Sequence, residues 1–100
     1  MENKAASQNP IGIFDSGVGG LSVLNELRRL LPQENLLYVA DQAHVPYGSR
    51  PLDEIRRFSE AITHFLLVHK AKLIVVACNT ASAAALTNLR NIFPAVPFVG

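Results

Sequence analysis

Apolar and polar positions along this chain fall into a repeating order. Ile11-Gly12-Ile13-Phe14 is a short apolar run and reads as a first strand. Leu21, Leu24, Leu27, Leu30 and Leu31 then recur at helical spacing, with Asn25, Glu26, Arg28 and Arg29 on the other face, and Pro32 ends that helix. Leu36 to Ala40 is a second apolar run, closed by Asp41. The segment from Gln42 to Pro51 holds two prolines and a glycine and reads as a loop. Ile55, Phe58, Ile62, Phe65 and Leu66 mark a second helix, with Glu54, Arg56, Arg57 and Glu60 facing solvent. Leu73 to Ala77 is a third strand, Thr80 to Ile92 a third helix before Pro94, and Val96 to Gly100 the start of a fourth strand.

Strands that alternate with helices imply right-handed crossovers and a parallel sheet with helices on both faces. The expected fold class is therefore α/β, a three-layer sandwich of the flavodoxin-like kind. The chain ends on an apolar strand, so it reads as the opening portion of a longer protein, with residues 1–10 as a flexible polar tail.

Length and composition narrow this further. One hundred residues form at most one small domain, and 49% hydrophobic residues supply a real core. A net charge of +1 gives no electrostatic case for nucleic acid or a membrane surface. The apolar runs are far shorter than a membrane span, and the N-terminus has no signal-peptide core. A single cysteine excludes an internal disulfide and suits a reducing compartment. A soluble, cytoplasmic protein is expected.

Candidate chemistry gathers at the carboxyl ends of the strands. Asp15 and Ser16 follow the first, Asp41 and the loop residues Pro46, Tyr47 and Gly48 follow the second, and Cys78, Asn79 and Thr80 follow the third. Parallel strands bring these positions to one rim, where open α/β sheets bind ligands. Each has a plainer reading. Cys78 could be a small core residue, Asp15 a cap or a brace for the turn, Asn79 or Thr80 an N-cap, Tyr47 a ring over the core edge, and His44 a solvated loop residue. Convergence favours chemistry, with Cys78 at a helix entrance whose field favours negative charge.

Several alternatives fail on spacing. The turn from Asp15 to Gly20 follows a strand and opens a helix, but Ser22 stands where a dinucleotide fingerprint has its third glycine. A lysine for a Schiff-base coenzyme is missing from the rim, and one cysteine without a histidine cluster makes no metal site.

Three ordered stretches together resemble the glutamate racemase family, within the aspartate/glutamate racemase superfamily. They are Asp15-Ser16-Gly17-Val18-Gly19-Gly20-Leu21-Ser22-Val23, Asp41 with Val45-Pro46-Tyr47-Gly48, and Val76-Ala77-Cys78-Asn79-Thr80-Ala81-Ser82-Ala83. The resemblance runs from Ile11 to Gly100. It implies interconversion of L- and D-glutamate without a cofactor, by two cysteines on opposite faces of the substrate, in support of peptidoglycan synthesis. On these positions it implies that Cys78 is one acid/base cysteine and that Asp15 assists proton transfer or orients the ammonium group. Ser16, Pro46, Tyr47, Gly48, Asn79 and Thr80 become substrate contacts. Residues 11–100 then form most of the first of two similar α/β domains, with the second cysteine in the other. The departures are that missing cysteine and Pro51, which lies where relatives often carry a capping serine. The expected partner is glutamate, and an exposed helix face or unfinished sheet is compatible with a homodimer. Two rivals stay open: an aspartate racemase or other superfamily member, such as a one-cysteine decarboxylase, and a non-catalytic module that binds a small acid.

Overall fold

The computed structural model describes residues 8–16 and 20–100. Four strands, β1 (Ile11–Asp15), β2 (Leu36–Ala40), β3 (Leu73–Val76) and β4 (Phe98–Val99), alternate with three helices, α1 (Gly20–Leu30), α2 (Leu52–Val68) and α3 (Asn79–Ile92). All strands run parallel, in the spatial order β2-β1-β3-β4. The chain steps outward from β1 to β2, then crosses back over β1 to β3. Strand order therefore reverses between β1 and β3, and their carboxyl ends flank the crevice where such sheets bind ligands. The turn residues Gly17, Val18 and Gly19 lie outside the described residues, as do residues 1–7 of the expected tail.

The two-residue period of a strand sorts β1 between the two helical layers. Gly12 and Phe14 face α2 and α3, while Ile11, Ile13 and Asp15 face α1. Gly12 has a packing reason to be glycine. A Cβ there would stand 3.1–3.2 Å from Leu66 and Ala71, so its absence lets the end of α2 press onto the strand. The main apolar cluster fills this side and includes Phe14, Tyr47, Ile55, Leu66, Ile74, Val76, Cys78, Ala81, Ala85, Leu89 and Phe98. On β3 the same alternation leaves Ile74 and Val76 buried, with Leu73 and Val75 only half-buried on the opposite face.

Helix α2 starts at Pro51, whose carbonyl accepts from the N–H groups of Glu54 and Ile55. Proline offers no side-chain cap, and Asp53 and Glu54 in the first turn supply the negative charge that a helix start favours. At its other end Lys70 adopts a φ of +66°. Its N–H donates to the Leu67 carbonyl and that of Ala71 to the Leu66 carbonyl, the paired bonds of a Schellman ending.

The helix limits fall close to the periodicity, and four side-chain expectations on α2 change. Glu54, beside Arg50, is half-buried. Arg56 and Glu60 are half-buried instead of facing water, because α3 packs alongside. Arg56 Nε donates to the Ala84 carbonyl at 3.1 Å, and Asn88 Nδ2 donates to Glu60 Oε1 at 2.9 Å. Phe65, placed by period on the apolar face, is 47% exposed at the sheet edge. The loop after β2 is not irregular throughout. It holds two single-turn 3-10 helices, Gln42–His44 and Tyr47–Ser49, and a cis Val45–Pro46 peptide between them.

Candidate active site

Backbone pairing continues past the strand ends and draws the three polar clusters together. The N–H of Asp41 donates to the Asp15 carbonyl, and that of Ala77 to the Phe14 carbonyl, both at 2.8 Å. Asp15-Ser16, Asp41 and Ala77-Cys78 thus lie side by side on one rim.

Cys78 lies two residues past the end of β3 and stands at the N-cap of α3, in extended conformation (φ −104°, ψ 121°). Its carbonyl accepts the first bond of the helix, from the Ser82 N–H at 2.9 Å. Asn79 and Thr80 are exposed on the first turn, so neither is the N-cap residue. Cys78 is 9% exposed, within a cluster that includes Phe14, Tyr47 and Ala81. A helix start turns its first N–H groups outward without intrahelical acceptors, so the backbone of this turn can hold an anionic group.

Asp15 is fully buried, and Ser16 is buried after it. Tyr38, one strand away, donates its hydroxyl to Asp15 Oδ2 at 2.9 Å. Burial, and then the hydrogen bond and charge of Asp15, push the Tyr38 phenol up to about 12. Tyr38 thus remains a donor to this carboxyl at neutral pH.

The second cluster is the most tightly bonded. Tyr47 is buried and donates its hydroxyl to Asp41 Oδ2 at 2.6 Å. His44 Nδ1 lies 2.7 Å from Asp41 Oδ1 and 2.9 Å from Oδ2. The His44 ring stacks on Phe58 with 3.7 Å between centroids, and the Arg50 guanidinium sits 5.2 Å from the same Phe58 ring. Arg50 Nε also donates to the His44 carbonyl at 2.7 Å. Burial first, then the Asp41 hydrogen bond and charge, then nearby Cys78, raise the Tyr47 phenol far above its usual range, against an opposing pull from Arg50. Tyr47 thus keeps its proton, donates it in a hydrogen bond to Asp41, and leaves its oxygen lone pairs for an incoming donor. Pro46 and Gly48 on either side are exposed and bring backbone to the rim.

Three participants go beyond the sequence-based set. His44, whose plainer reading was a solvated loop residue, keeps its side chain 40% exposed and is also bonded to Asp41 and stacked on Phe58. Arg50 and Tyr38 carried no expectation. Asp41 and His44 stand three residues apart, a spacing that one 3-10 turn brings to one side; Tyr47 lies beyond the extended Val45 and Pro46, so no such spacing links it to them.

No metal-holding group of three or more His, Cys, Asp or Glu occurs among the described residues. None of their helices is long and apolar enough to cross a membrane. A hollow of about 500 Å³ lies along the outer edge of β2, lined by Leu37, Tyr38, Val39, Ala40, Ala61, Ile62 and Phe65. It includes neither Asp15 nor Cys78.

No family model matches the chain. Comparison with individual proteins is decisive. The chain is 65% identical over 94 residues to a glutamate racemase of Roseiflexus, covering 94% of this chain and 35% of that protein. It is 57% identical over 95 residues to one of Pseudomonas aeruginosa, covering 95% of this chain and 36% of that protein. Among solved structures, glutamate racemase from Thermus thermophilus, in complex with β-chloro-D-alanine, matches with a TM-score of 0.86 and 58% identity, over 92% of this chain and 36% of its own. The Francisella tularensis enzyme, in complex with D-glutamate, matches with a TM-score of 0.86 and 39% identity over 92% of this chain and 35% of its own. The chain spans about a third of the length of these relatives. Over that third, by sequence and by fold, the chain is similar to the glutamate racemases.

Proposed function

We propose that this chain contributes one half of the catalytic site of a cofactor-independent glutamate racemase. The observation that carries the reading is a lone thiol, Cys78, at the N-cap of α3 on the rim that also bears Asp15 and Tyr47. The relatives' names supply the substrate, and the D-glutamate bound to the Francisella enzyme supplies the class of ligand.

Inversion at the α-carbon requires a base on one face and an acid on the other. Cys78, as thiolate, removes the α-proton of one enantiomer. A second cysteine, supplied by another domain of the full-length enzyme, donates a proton to the opposite face. In the reverse direction the roles exchange. Residues 11–100 form most of the first domain in this reading. The carbanion has no coenzyme to spread its charge, so a dry pocket and placed donors must lower the barrier. Backbone N–H groups at the start of α3, with Asn79, Thr80 and Ser16, hold the substrate carboxylates. Asp15 orients the ammonium group or assists proton transfer. Tyr47, flanked by Pro46 and Gly48, accepts from that ammonium through its free lone pairs. The product serves peptidoglycan synthesis in the cytoplasm.

Circular dichroism of glutamate tests this. In the full-length enzyme, Cys78→Ser should abolish racemisation from either enantiomer, a loss of about a thousandfold or more, since hydroxyl is a far weaker acid than thiol. The far-ultraviolet spectrum should be unchanged. Racemisation at the wild-type rate in that variant refutes the role of Cys78.

A further inference from the structure

We infer that His44 is a positioning residue: through Asp41 it fixes where the Tyr47 hydroxyl stands on the rim. This deepens the racemase reading and rests on it for the identity of the substrate.

Asp41 presents a carboxylate to two neighbouring side chains. It accepts and does not donate, so the His44 Nδ1 that approaches both its oxygens must carry a proton. Asp41 then receives two side-chain donors, His44 on one side and Tyr47 on the other. The Tyr47 hydroxyl has one proton, and its direction is set by where Oδ2 lies. A carboxylate rotates freely about its last bond unless both oxygens are held. Nδ1, sitting between them at 2.7 and 2.9 Å, removes that freedom.

His44 is itself held from two directions. Its ring lies nearly parallel to Phe58, at an interplanar angle of 18°, and its carbonyl receives Arg50 Nε. Arg50 in turn lies over Phe58 and 3.8 Å from Glu54 of the first turn of α2. The order of restraint therefore runs from α2 through Phe58 and Arg50 to His44, then to Asp41, and ends at the hydroxyl of Tyr47, a residue in the same buried cluster as Cys78. His44 touches no reacting atom in this scheme. It acts by removing alternative positions of a group that meets substrate.

Three substitutions separate the hydrogen bond from the stacking. His44→Phe keeps a ring on Phe58 and loses the donor. His44→Asn loses the ring and keeps an N–H where Nδ1 stands. His44→Ala loses both. In the full-length enzyme, Ala and Phe should each raise KM for glutamate about tenfold, the scale of one hydrogen bond, with kcat within about twofold of wild type. Asn should restore KM to within about twofold of wild type. A wild-type KM in the Phe variant, or a KM in the Asn variant as high as in Ala, overturns the inference. So does an Ala variant that loses thermal stability alone.

A second readout does not need turnover. The proton in the Tyr47–Asp41 bond should give a downfield resonance in the wild type and in His44→Asn, and lose it in His44→Phe. Its absence from the wild type, or its persistence in His44→Phe, contradicts the restraint. If the wild-type enzyme leaves glutamate unchanged, the racemase reading fails, and this resonance alone decides whether His44 holds the hydroxyl.

Discussion

Tyr38 and Tyr47 each give a hydroxyl proton to an aspartate at the rim, Tyr38 to Asp15 and Tyr47 to Asp41. They are the two tyrosines of the chain. Both phenols are raised by burial and by the carboxyl each one serves. The consequence is measurable. A free phenol ionises at about 10, whereas Tyr38 should ionise at about 12. The difference in phenolate absorbance between the wild type and Tyr38→Phe should show no step at about pH 10 and a step near 12. Between those values the unfolded chain binds fewer protons than the folded one. Stability contributed by Tyr38 is thus complete below about 10 and is lost as pH rises toward 12. A step in the folded protein at the free-phenol value contradicts the Tyr38–Asp15 bond. Removing the Tyr38 hydroxyl also takes a donor from a buried carboxyl, a loss of about 1–3 kcal/mol.

At the scale of elements, the ending of α2 carries a prediction of its own. Lys70 occupies the left-handed position that a Schellman ending reserves for glycine. A side chain there costs about 1–2 kcal/mol, and glycine loses about 0.5–1 kcal/mol of backbone entropy in exchange. Lys70→Gly should therefore stabilise the fold by about 0.5–1 kcal/mol, read as a higher urea midpoint at unchanged slope. A lower midpoint contradicts the assignment of that turn. Strands were legible in the sequence because Leu36–Ala40 and Leu73–Ala77 read as continuous apolar runs. The leucine period of α1 marked the helix but not its buried face: Leu24 and Leu27 are half-buried, whereas Leu21, Leu30 and, past the helix end, Leu31 are exposed. The rim was legible for a different reason, since Asp15, Asp41 and Cys78 each follow a strand and parallel pairing aligns strand ends. What periodicity could not show was side-chain bonding across a loop. His44 reaches Asp41 only because the chain coils there into a 3-10 turn, and Phe58 comes under its ring from the next helix. The half-burial of Arg56 and Glu60 was equally hidden, because it depends on α3 lying beside α2 and not on either helix alone.

For the whole molecule, the sheet order matters most. With β1 between β2 and β3, the reversal of strand order opens the rim beside Asp15 and Cys78. The chain holds a single cysteine, and racemisation by acid/base groups on opposite faces of a carbon needs two. In the proposed reaction this chain supplies one of the two proton-transfer groups, and another part of the full-length enzyme supplies its counterpart. Exchange of the α-hydrogen tests that claim most directly. The full-length enzyme, without pyridoxal phosphate, converts L-glutamate in deuterium oxide, and the α-position of both enantiomers is followed by NMR. The account predicts that the first D-glutamate formed carries α-deuterium while the remaining L-glutamate keeps its α-hydrogen, and that Cys78→Ser abolishes the conversion. D-glutamate that retains the original α-hydrogen, or conversion at the wild-type rate in Cys78→Ser, would contradict it.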